Sequence, residues 1–258
     1  MFKRTTGAFA LGLATLFAAH AATAADKQIK IGVIYDLTGP YAAGGSKAAA
    51  VGTQIAIDMI NERGGVEGYK IVPVNADAQS KTDVAINEAE RLLNDEKVDM
   101  LMGIFSSAHC VPMAAKVDAA KKFMWANVCV ASDVFKNKNL KYVFRGQVHS
   151  DQFGEASCKF IAENAKEKLG KDVKDVRVAI IHEDGAYGAG VAKGNKETCS
   201  ALGMNIVHEE GYAATSTDLS ALVTKLRVPL PRQETGGAVV DHGALLGLFV
   251  YRTLAFAI

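Results

Sequence analysis

Residues 29–62 read IKIGVIYDLTGPYAAGGSKAAAVGTQIAIDMINE, and this stretch decides the fold class. Residues 29–35 are a short apolar run rich in β-branched side chains, which predicts a buried strand. A turn-forming loop, DLTGP at 36–40, follows it. Apolar residues then recur at helical spacing at Val51, Ile55 and Met59, with Ile57 and Ile60 beside them, and this stripe predicts a helix over 47–62. The Gly64-Gly65 pair ends that helix.

The same strand and helix unit recurs along the chain. Further strands are predicted over 70–75, 98–104, 123–128 and 142–145, and helices over 82–94 and 108–121. A second series has helices over 151–169, 189–202 and 217–227, and strands over 177–182 and 204–209. Continuous apolar strands that alternate with helices predict parallel sheets covered on both faces, in a doubly wound α/β layout with right-handed crossovers. Residues 144–147 separate the two series and form the predicted crossover.

Composition excludes several classes of protein. The chain has 258 residues, of which 49% are hydrophobic and 22% are charged, which is typical of a globular protein. With 29 basic and 28 acidic residues the formal charge is +1, so neither a nucleic-acid surface nor a polybasic membrane arm is indicated. No apolar stretch beyond the N-terminus is long enough to span a bilayer.

The N-terminus carries the features of an export signal. Lys3 and Arg4 precede an apolar run over 9–19, and Ala22-Thr23-Ala24 supplies the small-x-small pattern that signal peptidase reads. We therefore expect cleavage after residue 24 and a periplasmic protein with a net charge of −1. A membrane anchor or a buried helix is the alternative reading of this segment.

Export permits disulfides among the four cysteines, Cys110, Cys129, Cys158 and Cys199. Four cysteines allow three connectivities, and we favour pairing within each half of the chain, Cys110 with Cys129 and Cys158 with Cys199. Free buried thiols are the alternative. The sequence contains no CxxC or HExxH pattern, so no metal site is predicted.

Ligands of such folds bind beyond the carboxyl ends of the strands, which directs attention to the loops there. Ser106 and Ser107 follow the third strand and precede a helix, where free backbone N–H groups and the positive end of the helix dipole can bind a carboxylate. A plain helix cap without a ligand is the alternative. Tyr187, between Gly185 and Gly188, fits an aromatic side chain on a flexible loop over a cleft, or else a surface turn.

Enzyme motifs are absent. The sequence has no GxSxG, Walker A or GxGxxG pattern, and no cofactor is predicted. His109 stands close to Ser107, but neighbours at a helix start do not generally aim at each other, and the sequence shows no acid to orient the histidine. We therefore expect a protein that is not an enzyme, and the missing glycine fingerprint argues against a dinucleotide-dependent one.

An ordered set of segments carries a family resemblance. These are IKIGVIYDLTGPYAAGG, AIDMINERGGVEGYKI, AINEAERLLNDEKVDMLMG followed by Ser106-Ser107, RVAIIHEDGAYGAG and TDLSALVTKL. In this order the chain resembles, from residue 29 to 227, the periplasmic solute-binding proteins of ABC transporters, of the branched-chain amino-acid (Leu/Ile/Val) type. The resemblance implies a type I periplasmic-binding-protein-like fold, with two lobes that close over a ligand.

The resemblance also implies a site and a role. In that family the serine after the third strand and the loop after the fourth strand hold the amino-acid carboxylate, which points to Ser107, Cys129 and Ala131. Cys129 would act through its backbone, and Ala131 stands where the family often has a hydroxyl residue. Tyr187 corresponds to an aromatic that the second lobe offers to ligand. The implied function is a monomeric receptor that delivers a small amino acid or related carboxylate to an ABC permease, without nucleic acid as a partner.

The resemblance stops after residue 227. The tail over 228–258 opens with Pro229 and Pro231, and no helix and strand alternation resumes in it. We therefore expect a signal peptide at 1–24, an N-terminal lobe at 25–146, an incomplete C-terminal lobe at 147–227, and an aberrant tail from truncation or a frameshift. A final helix or a membrane-associating tail is the alternative for 244–258. A nonfunctional fragment, or a receptor for aromatic acids, amides or urea-like ligands, remains open as the function.

Overall fold

The structure is a computed structural model that describes residues 27–216, 218–227, 246–250 and 253–257. The predicted signal segment at 1–24 and residues 228–245 of the predicted tail lie outside the described residues. Within the described ranges, no helix combines the length and the hydropathy needed to cross a membrane.

The first half of the chain forms a five-stranded parallel sheet with helices. Its elements are β1 (Gln28–Tyr35), α1 (Lys47–Glu62), β2 (Lys70–Asp77), α2 (Thr82–Asn94), β3 (Met100–Gly103), α3 (Ser107–Ala119), β4 (Phe123–Ala126) and β5 (Val143–Arg145). The strand order is β2-β1-β3-β4-β5, and every pair is parallel. The predicted α/β fold class is confirmed. The chain changes direction across the sheet between β1 and β3, which is where ligands bind in such folds.

Two apolar clusters cover the faces of this first sheet. Under α2 and α3, Leu92, Leu101, Met113 and Met124 are fully buried. The other face packs against α1, with Ile57 buried beside strand residues of β1 and β2. Because α1 alone covers that face in the described part of the chain, side chains near its far edge stay exposed, including Phe123 and Phe144, whose rings stack 5.0 Å apart.

The helix α1 has the predicted bounds, and most of the apolar stripe that predicted it is exposed. Val51, Ile55 and Met59 are 58%, 53% and 46% exposed, whereas Ile57 is 4% exposed. The side of α1 that faces the sheet carries Thr53 and Ile57, four residues apart. The wider apolar row therefore lies on the opposite side, which a periodicity argument cannot distinguish from the buried side.

The second half contains a smaller sheet. Its elements are α4 (Ser150–Asn164), β6 (Arg177–Glu183), α5 (Ala186–Ala201), β7 (Asn205–Tyr212), α6 (Ser220–Arg227), β8 (Leu246–Val250) and β9 (Thr253–Ala257). The order is β7-β6-β9-β8, with β6 parallel to β7 as expected. Its buried cluster, which includes Ile161, Val178 and Ile180, joins α4 and α5 to the sheet.

The strands β8 and β9 lie in the predicted tail and differ from the expectation for it. They pair with each other and β9 pairs with β6, both antiparallel. Residues 246–250 and 253–257 are therefore not a final helix, and they occupy the edge of β6 that two parallel strands would leave open. The proline-rich start of the tail gave no sign of this pairing.

Both disulfides join residues within one half of the chain, as favoured from the sequence. Cys110 pairs with Cys129, and Cys158 pairs with Cys199. The first links α3 to the loop after β4, and the second links α4 to α5. All four cysteines are buried.

Candidate functional site

The turn between β3 and α3 has a strained backbone. Gly103 has φ +112, and a Cβ there would lie 2.4 Å from the carbonyl oxygen of Ile34. Ile104 has φ 65, a left-handed conformation that a β-branched residue rarely adopts. Neighbouring segments hold this residue in place, because its N–H donates to Ile34 at 2.7 Å and its carbonyl accepts from the N–H of Cys129 at 3.2 Å. Strain of this kind is concentrated at functional turns.

Ser106 and Ser107 begin α3 directly after this turn. Ser106 is the extended residue at the N-cap, and its side chain makes no capping hydrogen bond. The Ser107 hydroxyl accepts the N–H groups of Val130 at 3.3 Å and Ala131 at 3.2 Å. The first N–H groups of α3 have no carbonyl one turn earlier to bind, as at every helix start. The structure thus brings the two predicted serines together with the loop after β4.

The backbone of residues 129–131 is fully engaged within the protein. The carbonyl of Cys129 accepts from Gln147 Nε2 at 3.3 Å, and that of Val130 accepts from the N–H of Ser150 at 2.8 Å. The carbonyl of Ala131 accepts from Arg145 Nη1 at 2.9 Å. The Cys129 backbone is predicted to bind the ligand, but the amides of this loop are already hydrogen-bonded within the protein. The Ser107 hydroxyl hydrogen and the first amides of α3 are the donors that this site can offer to an anion.

Tyr187 is half-buried and lies in the first turn of α5 rather than on a flexible loop. The flanking glycines have a packing reason: the Glu183 carboxylate accepts the N–H groups of Gly185 and Gly188, each at 2.6 Å. Glu183 thereby caps the helix with a negative charge at its positive end. The helix α5 also contacts α3, and Ala186 packs against the apolar cluster of the first sheet. Tyr187 therefore stands on the element of the second half that approaches the serine site.

Sequence reasoning missed that a buried acid, Asp36, lies beside His109 near this site. Asp36 at the end of β1 and His109 in α3 are 1% and 2% exposed, and His109 Nδ1 lies 3.5 Å from Asp36 Oδ1. Asp36 Oδ1 also accepts the N–H of Ser80 at 2.9 Å, while Oδ2 has no hydrogen-bond partner in the described residues. Burial raises the pKa of Asp36 to about 6 and lowers the pKa of His109 to about 4.

Asp36 is an acid beside His109 that the sequence did not reveal. Asp36 and His109 are far apart in sequence, and only the adjacency of β1 and β3 brings the two elements together. The Ser107 hydroxyl bonds to the loop amides, so the three residues do not form a nucleophile, base and acid series in the described hydrogen bonds. No group of three or more His, Cys, Asp and Glu side chains within the described ranges is placed to hold a metal ion.

Comparisons with known proteins agree with this architecture. The sequence pattern of the family described as "Periplasmic binding protein" matches residues 28–228. The chain belongs to the periplasmic binding protein family. A Leu/Ile/Val-binding protein homolog from Brucella suis is 35% identical over 218 residues, which is 84% of this chain and 53% of that relative. This periplasmic binding protein thus spans about half the length of the curated relatives it matches.

Solved structures of periplasmic binding proteins are also similar to this chain. The isoleucine complex of the branched-chain amino-acid binding protein LivJ from Streptococcus pneumoniae is 28% identical, with a TM-score of 0.65 over 79% of this chain and 55% of that one. The leucine-binding protein LivK from Thermotoga maritima is 25% identical, with a TM-score of 0.65 over 77% of this chain and 53% of that one. A 4-hydroxybenzoate complex from Rhodopseudomonas palustris, at 23% identity and TM-score 0.64 over 77% of this chain and 50% of that one, shares the fold.

These comparisons confirm the predicted family and the type I fold. The chain shares its family and fold with LivJ and LivK, and these relatives are substrate-binding proteins rather than enzymes. Membership of this family also implies a location outside the cytoplasm.

Proposed function

We propose that this periplasmic binding protein binds a small amino acid or related carboxylate for delivery to an ABC permease. The observation that supports the proposal is the meeting of the α3 N-terminus, the Ser107 hydroxyl and the loop at 129–131 at the carboxyl edge of the sheet. The first amides of α3 and the Ser107 hydroxyl are uncharged donors, and helix N-termini bind anions through such donors. The isoleucine complex of LivJ and the leucine-binding protein LivK favour an apolar amino acid as the ligand.

The organisation that goes with this function is also a proposal. Residues 1–24 act as the export signal, residues 25–146 form the first lobe, and residues 147–227 form part of the second. Ser106, Ser107, Cys129 and Ala131 face the ligand from the first lobe, and Tyr187 approaches from the second. The protein acts as a monomer in the periplasm.

A second candidate function is a receptor fragment without affinity for a ligand. Two observations favour it: the chain spans about half of its relatives, and apolar side chains such as Ile55, Met59 and Phe144 are exposed. In a complete receptor, apolar side chains of this size are mostly buried against other elements.

Calorimetric and thermal titration with leucine and isoleucine tests both candidates. We expect each ligand to raise the unfolding midpoint by mass action, and leucinamide, which lacks the carboxylate, to have no effect. Ser107→Ala should weaken leucine binding about tenfold or more, because a hydrogen bond to a charged group is lost. The exposed Ser200→Ala is the matched control and should bind as the parent does.

Two outcomes would contradict the proposal. If Ser107→Ala binds leucine as tightly as the parent while remaining folded, the carboxylate site lies elsewhere. If no amino acid or aromatic acid shifts the midpoint of the parent chain, the fragment reading is correct.

A further inference from the structure

A cavity of about 370 Å³ lies where β5 ends and α4 begins. Its lining residues are Ser132, Phe135, Lys136, Arg145, His149 and Asp151. None of the five residues predicted to bind ligand lines it, although Ser132 follows Ala131 directly. Its volume falls within the ~300–1,000 Å³ of typical small-molecule sites.

Arg145 is the central group of this cavity. Its guanidinium lies 5.0 Å from the centre of the Phe135 ring, and Nη1 donates to the carbonyl of Ala131. Within the described residues, no carboxylate lies at ion-pair distance from Arg145, and desolvation lowers its pKa. A partly buried cation without a counter-ion is unfavourable, so the arrangement gains stability when an anion enters.

The remaining polar groups leave an excess of positive charge. Lys136 is exposed at the rim, with no described salt bridge. The one acid, Asp151, is already engaged, because its Oδ1 accepts from Ser132 Oγ at 2.7 Å and Ser150 Oγ at 3.4 Å. His149 Nδ1 lies 3.1 Å from the same Ser132 hydroxyl. Two cations against one carboxylate leave a net positive charge in the cavity, which favours an anionic ligand.

We propose that this cavity is a second ligand site, separate from the serine site, which binds a small organic carboxylate. The carboxylate pairs with the Arg145 guanidinium and with Lys136, and the apolar part of the ligand lies against the Phe135 ring. A planar guanidinium suits this role because it presents paired N–H donors that match the two oxygens of a carboxylate. The proposal does not depend on the identity of the ligand at Ser107.

Titration of the purified chain with benzoate, at low ionic strength, tests this site. We expect benzoate to bind at least about tenfold more tightly than benzamide, which has the same ring without the charge. Lys136→Gln should weaken benzoate about two- to fivefold without disturbing the fold, since it changes an exposed side chain. Arg145→Gln should weaken it more, and the exposed Lys141→Gln, outside the cavity, is the matched control.

The serine site supplies the decisive comparison. Ser107→Ala should bind benzoate as tightly as the parent chain does. Adding Lys136→Gln to Ser107→Ala should weaken benzoate binding by the same factor as it does in the parent chain. If benzoate binding is instead lost in Ser107→Ala and kept in both cavity variants, benzoate occupies the serine site and the second site is excluded. Equal binding of benzoate and benzamide, or no binding of either, also overturns the proposal. Failure of leucine to bind, with benzoate still sensitive to Lys136, rejects the proposed function alone.

Discussion

Asp36 and His109 are buried side by side beneath the serine site, and their pKa values move in opposite directions. The folded protein holds a proton on Asp36 more tightly than the unfolded chain does, with a pKa of about 6 against 3.8. It holds a proton on His109 less tightly, with a pKa of about 4 against 6.5. As pH rises from about 4 to 6, Asp36 therefore lowers the free energy of unfolding. As pH rises from about 4 to 6.5, His109 raises it.

These opposite slopes predict a pH response that appears only in variants. In the parent chain the two contributions largely cancel between pH 4 and 6. Asp36→Asn leaves the histidine contribution alone, so its free energy of unfolding should rise with pH relative to the parent, by up to about 1.4 kcal/mol per pH unit. His109→Gln should show the opposite slope. Urea unfolding at pH 4, 5 and 6 measures both slopes, and two variants with the parent's slope would show that burial does not shift these two pKa values.

At the level of elements, the helix α1 has apolar side chains on two sides, one packed against the sheet and one exposed. Ile57 packs on the sheet, while Ile55 is exposed. Ile57→Ala should lower the free energy of unfolding by about 2–5 kcal/mol, because it leaves a cavity in the core. Ile55→Ala, the same change two residues away, should stay within about 0.5 kcal/mol of the parent. Chemical denaturation of both variants checks this, and equal losses would mean that the stripe is buried in solution.

The two disulfides differ in the length of chain they close. The Cys110–Cys129 bridge spans 19 residues and the Cys158–Cys199 bridge spans 41. From chain entropy, we expect removal of the first to cost about 3 kcal/mol and of the second about 4 kcal/mol. Paired Cys→Ala variants, compared by denaturant unfolding, measure both. Only the first pair adjoins Ser107, so only its removal should also weaken ligand binding; an unchanged affinity would show that the bridge does not position the site.

At the scale of the whole molecule, the second sheet depends on chain segments far apart in sequence. The central strand β6 pairs with β7 on one side and with β9 on the other. The strand β9 therefore protects an edge that would otherwise be open for association with other chains.

A chain that ends at Arg227 tests the role of this hairpin. Because alternate N–H groups of β6 face opposite neighbours, we expect the amides that face β9 to exchange about tenfold faster or more in the shortened chain. Amides of β1 and β3 in the first sheet serve as the internal control and should not change. Uniform protection of β6 in both chains would show that the hairpin does not pair there in solution.

The order of strands and helices in the first half could be predicted from the sequence, because apolar periodicity and turn residues are local signals. The sequence also located Ser106 and Ser107 at a helix start and favoured both disulfides. Only the tertiary structure decided which side of α1 is buried, that Asp36 meets His109, that Arg145 has no carboxylate partner in the described residues, and that β9 pairs with β6. Each of these depends on contacts between residues that are distant in sequence. The residues around a side chain in the sequence do not show which distant residue buries it or pairs with it.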